Sequence, residues 1–97
     1  MFDWNDLRYF LEVARRGKLS AAALRIGVDH TTVSRRLVAL EEQLGVTLFH
    51  RENRTYRLSD EGRRLLSYAE KMEINSLELM DEIIPTSKGL TGTVRLA

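Results

Sequence analysis

Apolar residues along the first half of the chain recur at the three-to-four spacing of helices. Trp4, Leu7, Phe10, Leu11 and Ala14 share one face, predicting a first helix from about Trp4 to Arg16. Asp3 or Asn5 is placed to cap its start, and Gly17 suits the left-handed residue past its end. Ser20 is a natural N-cap for a second, short helix over residues 21–26, whose three consecutive alanines allow another helix to approach closely. Gly27-Val28 then breaks the chain: the glycine permits a positive φ and the valine can plug the angle between helices. Asp29 caps a third helix, in which Val33, Leu37, Leu40 and Leu44 form an inward stripe and which ends at Gly45.

Beyond residue 45 the pattern changes. Residues 47–51 and 55–58 have strand-like content around Glu52-Asn53-Arg54, where the asparagine tolerates a left-handed turn, so a short hairpin is expected that carries Arg51, Arg54 and Arg57. Ser59 is placed to cap a long final helix over residues 60–84. Along it Leu58, Gly62, Leu65, Ala69, Met72, Ser76, Leu79 and Ile83 alternate steps of four and three, the seam of a coiled coil, and Leu66, Leu77, Met80 and Ile84 widen the stripe. A lone helix cannot bury so much apolar surface, so this one calls for a partner, most cheaply a second copy, with Leu65, Ala69, Met72, Ser76, Leu79 and Ile83 at the contact. Pro85 stops the helix, a hinge-like stretch follows over 86–93, and residues 94–97 resemble the start of a strand.

The expected fold is therefore mainly α. Residues 1–58 make a winged helix-turn-helix with a small β-hairpin as the wing, residues 59–85 a long dimerisation helix, and residues 86–97 a hinge and the beginning of something further. A short helix, a tight glycine turn and a capped longer helix is the sequence form of a helix-turn-helix, whose second helix lies in the major groove of DNA.

Composition narrows the chemistry. The 97 residues are 43% hydrophobic and 30% charged, which suits a globular chain, and the absence of cysteine leaves no disulfide and no thiolate metal site. The opening Met-Phe-Asp-Trp lacks a basic start followed by an apolar run, so it is not expected to act as a signal peptide, and no apolar stretch of the sequence approaches membrane-spanning length. The net charge of +1 conceals an asymmetry: residues 1–64 carry 12 Lys/Arg against 9 Asp/Glu, whereas residues 65–97 carry 3 against 5. A basic head on an acidic tail suits a head that meets phosphate. An enzyme is disfavoured, because the two histidines are far apart, no phosphate-cradling glycine loop is present, and the adjacent Glu41 and Glu42 diverge on their helix. The remaining rival is a helical dimerisation and protein-interaction module, against which the Arg/Ser/Thr/His composition of the outward face argues.

The order and spacing of Leu7, Tyr9-Phe10, Val13-Ala14, Ala22-Ala23, Ile26, Val28, Val33-Ser34, Leu37, Leu40-Glu41, Leu44-Gly45-Val46, Leu48-Phe49, Arg51, Arg54, Leu58-Ser59 and Gly62 resemble the N-terminal part of LysR-type transcriptional regulators, a large bacterial family. The resemblance implies a cytoplasmic regulator, located on the bacterial nucleoid, that binds an interrupted palindrome in double-stranded promoter DNA as a homodimer. It also implies a linker helix paired antiparallel with its mate, tetramers in full-length relatives, and no membrane partner. Residues 94–97 resemble the entry to the effector domain of that family, so any small-molecule effector is expected to bind beyond this chain, and no cofactor is expected within it. Where the family commonly has Ser-Gln-(Pro or Ser)-Ala at the start of the recognition helix, this chain has Asp29-His30-Thr31-Thr32. The cap is preserved, but the half-site preference does not carry over from relatives.

The candidate DNA-binding residues are His30, Thr31, Ser34 and Arg35 at base edges and nearby phosphates, with Arg36 beside them. Arg35 can donate two parallel hydrogen bonds to a guanine. Arg35 and Arg36 could instead form a solvated face paired with Glu41 or Glu42, and His30 could simply neighbour Asp29. Arg54 is expected at the wing tip, where it could enter a minor groove. Arg51 is either a DNA contact or a tie between wing and helices, while Ser20, Thr32 and Ser59 are either phosphate contacts or plain capping and packing residues. Trp4, Tyr9 and Phe10 read as core or dimer contact rather than a base-stacking platform, and His50 as surface.

Overall fold

The computed structural model describes residues 3–83, so the expected hinge, the strand-like residues 94–97 and Ile84 lie outside the described residues. Three helices, α1 (Trp4–Arg16), α2 (Leu19–Ile26) and α3 (His30–Leu44), are followed by strands β1 (Phe49–Glu52) and β2 (Thr55–Leu58) and by helix α4 (Asp60–Ile83). Asp3 caps α1 by accepting the Asn5 N–H at 3.0 Å. The chain leaves α1, α2 and α3 through Gly17, Gly27 and Gly45, all at positive φ. This is the conformation that glycine adopts without a Cβ penalty.

Leu7, Phe10, Leu11 and Val13 of α1, Ala22 and Ala23 of α2, and Val33, Leu37 and Leu40 of α3 meet in one core, which Leu48, Phe49 and Ala69 close from the wing and α4. The two buried alanines let α2 lie close against its neighbours, and Val28 packs into the bend that follows. Phe10 and Phe49 meet with ring centroids 5.3 Å apart and planes tilted by 45°, so the wing is packed onto α1 rather than appended to it.

The hairpin pairs Phe49 with Leu58 and Glu52 with Thr55. Asn53 and Arg54 both have positive φ, 49° and 68°, as a two-residue turn matched to strand twist requires. Three further ties hold the wing. Tyr56 donates its N–H to the Gly17 carbonyl at 2.8 Å and Ser59 to that of Leu48 at 2.8 Å. Glu41 of α3 accepts the N–H groups of Leu48 at 2.8 Å and Phe49 at 3.3 Å. Ser59 does cap α4, its hydroxyl accepting the Gly62 N–H at 2.9 Å while donating to the Thr47 carbonyl.

Four sequence expectations need correction. Helix α2 begins at Leu19, with Lys18 in the N-cap position and no side-chain cap bond, so Ser20 lies inside the first turn. The half-buried Leu19 packs against the core, and that contact draws it into the helix. Strand β1 begins at Phe49 rather than Thr47, because the Leu48 and Phe49 amides face the Glu41 carboxylate and Ser59 engages the Thr47 carbonyl. Leu44 is 36% exposed, since it stands on the last turn of α3 past the part that α1 and α2 cover.

The fourth correction concerns the seam of α4. Ala69 is fully buried within its own protomer and so is not available to a second chain, and the half-buried Leu65 packs against the same core. The apolar stripe serves two surfaces in turn. Its first half lies on the protomer core; beyond Ala69, Met72, Ile74, Leu77, Leu79, Met80 and Ile83 are exposed, each between 44% and 68%. Arg15 fixes α4 at the transition, donating to Glu73 through both terminal nitrogens at 2.7 and 3.3 Å and lying 3.8 Å from Glu70. That hydrogen-bonded pairing lowers the Glu73 pKa from its ordinary value and raises that of Arg15.

Candidate nucleic-acid interface

Helix α3 owes its exposed edge to its two ends. Asp29, in an extended conformation (φ −71°, ψ 143°), accepts the Thr31 N–H at 3.4 Å and so fixes where the helix begins. Val33, Leu37 and Leu40 turn to the core, which directs Thr31 and Arg35 to the opposite side. Arg35 is exposed and makes no hydrogen bond or ion pair among the described residues. Ser34 is half-buried one position before it. The His30 side chain is 68% exposed, with its Nε2 4.0 Å from the Asp29 carboxylate, so it stands near its cap yet faces outward. Thr32 is half-buried, nearer the packing role than the phosphate role.

Two arginines from the sequence-based set are engaged within the protein. Arg36 donates to Asp6 of α1 at 2.9 Å and lies 5.7 Å from the centre of the Tyr9 ring. The hydrogen bond to Asp6, reinforced by its charge, raises the Arg36 pKa. Its partner is thus neither Glu41 nor Glu42 but a carboxylate thirty positions back. Arg51 lies 3.8 Å from Glu41 and 5.2 Å from the centre of the Tyr56 ring, the arrangement of a residue tying wing to helices. Arg57 pairs across the hairpin with Glu52 at 2.9 Å.

Arg54 is different. It sits at the turn of the hairpin, exposed, with no hydrogen bond or ion pair among the described residues. Between it and α3 runs a groove of ≈ 660 Å³ lined by Lys18, Leu19, Ser20, His30 and the segment Asn53 to Tyr56. The groove therefore gathers Lys18, Arg54 and His30 with the first turn of α2, which holds no acidic residue. The amides of a helix start present positive potential, and a groove so lined favours an anion such as a phosphate. Lys18 was not singled out from the sequence. Its signal was its place between the Gly17 turn and a helix start, which makes it a cation at an amide-rich end. Ser20 lines the same groove as an exposed residue, in keeping with the phosphate role and not with capping.

Among the described residues no group of His, Asp and Glu could hold a metal ion, and no helix is long and apolar enough to cross a membrane.

Comparison with known proteins places this geometry. A family model described as bacterial regulatory helix-turn-helix protein, lysR family, matches residues 4–63. The chain belongs to the LysR family of bacterial helix-turn-helix regulators. It is similar to the HTH-type transcriptional regulator DmlR of Escherichia coli (strain K12), with 36% identity over 92 residues, 95% of this chain and 30% of that protein. The uncharacterized HTH-type transcriptional regulator YusT of Bacillus subtilis (strain 168) is 43% identical over 88 residues, covering 91% of this chain and 28% of YusT. This chain thus spans under a third of the length of these relatives. Among solved structures, the DNA complex of the CbnR DNA-binding domain superposes with a TM-score of 0.79 at 32% identity, covering 84% of this chain and 93% of that one. The BenM DNA-binding domain bound to benA site 1 DNA gives 0.80 at 28% identity, covering 84% and 94%.

Proposed function

We propose that this chain is the sequence-reading part of a homodimeric transcriptional regulator and binds an interrupted palindrome in double-stranded promoter DNA. The observation that carries the reading is the joint exposure of Thr31 and Arg35 on α3 and of Arg54 on the hairpin turn, with a groove that gathers Arg54, His30, Lys18 and Ser20. The N-terminal half of α3 enters the major groove, where Arg35 donates to a guanine and His30, Thr31 and Ser34 contact neighbouring base edges. Arg54 reaches the adjacent minor groove from the hairpin turn. Lys18, Ser20 and the start of α2 take the phosphates between them, which fixes register without reading sequence. Arg36 and Arg51, held by Asp6 and Glu41, orient α3 and the wing.

Dimerisation uses the outer half of α4. Met72, Ser76, Leu79 and Ile83 stay at the contact; Ala69 leaves it, being fully buried in the protomer core, and the half-buried Leu65 packs mainly on that core. Trp4, Met72, Asn75, Ser76 and Leu79 form a largely apolar trough on which the α4 of a second copy can lie. At about 1.5 Å per residue, α4 is a rod of about 36 Å, long enough to hold two reading heads apart on one face of a duplex. Regulation by a small-molecule effector, and assembly into tetramers, belong to regions beyond this chain, as does any activator or repressor role. The placement in the bacterial cytoplasm follows from promoter DNA as the partner.

The test compares binding to a selected operator and to random duplex. Arg35→Ala is expected to weaken operator binding by roughly tenfold or more, as loss of a good bidentate pair costs about 1–3 kcal/mol, and to weaken random-duplex binding less. Equal losses on both would reduce Arg35 to a phosphate contact, and no retention of the parent protein on duplex at low salt would reject the reading.

A further inference from the structure

Arg35 and Arg36 are adjacent on α3, so their side chains leave the helix about 100° apart. Arg35 is exposed without a partner among the described residues; the Arg36 side chain is 43% exposed, but its guanidinium is paired to α1. Its partner there is Asp6, a buried residue whose side chain is only 11% exposed and whose Oδ1 lies 2.9 Å from Arg36 Nη1. A carboxylate so far out of water requires a charged or hydrogen-bonded partner, and among the described residues Arg36 is the cation it has. The Tyr9 ring, one turn along α1, holds the guanidinium from a second side.

We propose that Asp6 is a specificity-determining residue, which withdraws the charge of Arg36 from the duplex so that the recognition helix offers DNA a single arginine of the two. The inference rests on the duplex-reading function above. An arginine at the edge of a recognition helix that is not aimed at a base still attracts phosphate on any sequence. Such a cation raises binding to random DNA as much as to the operator, and the genome holds far more of the former. By neutralising Arg36 within the protein, Asp6 gives up sequence-independent affinity and preserves the contrast between sites. The same ion pair anchors α3 to α1, so Arg35 is presented from a fixed helix.

The experiment measures binding to an operator and to random duplex across a salt series, for the parent protein and four variants. Lys18→Gln, at a proposed phosphate contact, is expected to flatten the slope of log K against log salt by about one unit per protomer bound, and Arg36→Gln to leave it unchanged. Asp6→Ala releases Arg36: the slope steepens by about one unit per protomer, random-duplex binding rises several-fold at low salt, and the operator-to-random ratio falls. The double variant Asp6→Ala with Arg36→Gln returns both slope and ratio toward those of the parent. A slope for Arg36→Gln as flattened as that for Lys18→Gln overturns the inference, as does a parental slope and ratio for a folded Asp6→Ala. Should Asp6→Ala fail to fold, the Arg36→Gln arm decides alone, since glutamine can still donate to Asp6. A parent protein with no salt-dependent binding rejects the duplex-reading function itself, a result separate from a failure of the Asp6 arm.

Discussion

The carboxylate of Glu41 accepts the backbone N–H of Leu48 at 2.8 Å, tying the last turns of the recognition helix to the entrance of the wing. The same oxygen accepts from Phe49 at 3.3 Å, and the other lies 3.8 Å from Arg51. One side chain thereby sets the angle between the two parts that would grip the major and minor grooves. Removing it leaves two amide groups and an arginine without their shared acceptor. Glu41→Ala is expected to cost about 2 kcal/mol, the usual value for hydrogen bonds to a charged group. In a domain of this size that lowers the melting temperature by roughly 10 °C, measured by circular dichroism.

Gly62 shows the reverse constraint. It sits in the first turn of α4, where a Cβ would collide with the backbone carbonyl of Leu48 and with the Leu58 side chain. Glycine to alanine in a helix normally stabilises by about 1 kcal/mol. Here Gly62→Ala is expected to destabilise by about 1–3 kcal/mol, because the wing backbone must move. Urea denaturation gives the sign directly.

Acid acts on the tie between α1 and α4. Hydrogen bonding from Arg15 holds the Glu73 carboxyl below its ordinary pKa. A group with a lowered folded-state pKa stabilises fully above its unfolded value, about 4.3 for glutamate, and loses that contribution as pH falls through the folded value. The Glu73 side chain is 36% exposed, so solvent screening limits the pair to about 0.5 kcal/mol. Near neutral pH, Glu73→Gln is expected to melt roughly 2–4 °C below the parent protein. As pH falls below that unfolded value and through the lowered folded one, the two melting curves should converge.

Leu79 is 59% exposed in the protomer, so a charge there costs the protomer fold little. On the proposed contact it would be buried against a second copy. Leu79→Asp is therefore expected to give a folded monomer by sedimentation velocity, with the helical signal of the parent retained. An intact dimer would move the contact off this face.

Much of the fold was legible because local rules and tertiary packing agree. The apolar faces of α1 and α3, the caps at Asp3, Asp29 and Ser59, and the left-handed turn at Asn53 all appear where spacing and side-chain chemistry place them. The misses have a common origin in contacts distant along the chain. Ser20 looked like a cap because a serine before three alanines is a good local signal, yet the packing of Leu19 against the core starts the helix earlier. Leu65 and Ala69 fit a coiled-coil seam as well as Met72 does, and periodicity alone does not say whether a stripe packs on its own protomer or on another. Arg36 was compared with nearby acids, whereas its partner Asp6 lies on another helix. The exposed placement of Arg35, His30 and Arg54 was readable from helix phase and turn position. Lys18 was not, because only the folded chain brings the start of α2 beside the wing.

Selection of bound sequences from a random duplex pool tests the central claim most directly, since it asks at once whether the exposed edge of α3 reads bases and whether two copies read together. The expected result is enrichment of two inverted half-sites at one fixed separation, with enrichment lost for Arg35→Ala. A pool that remains random after successive rounds, or one that converges on a lone half-site, would contradict it.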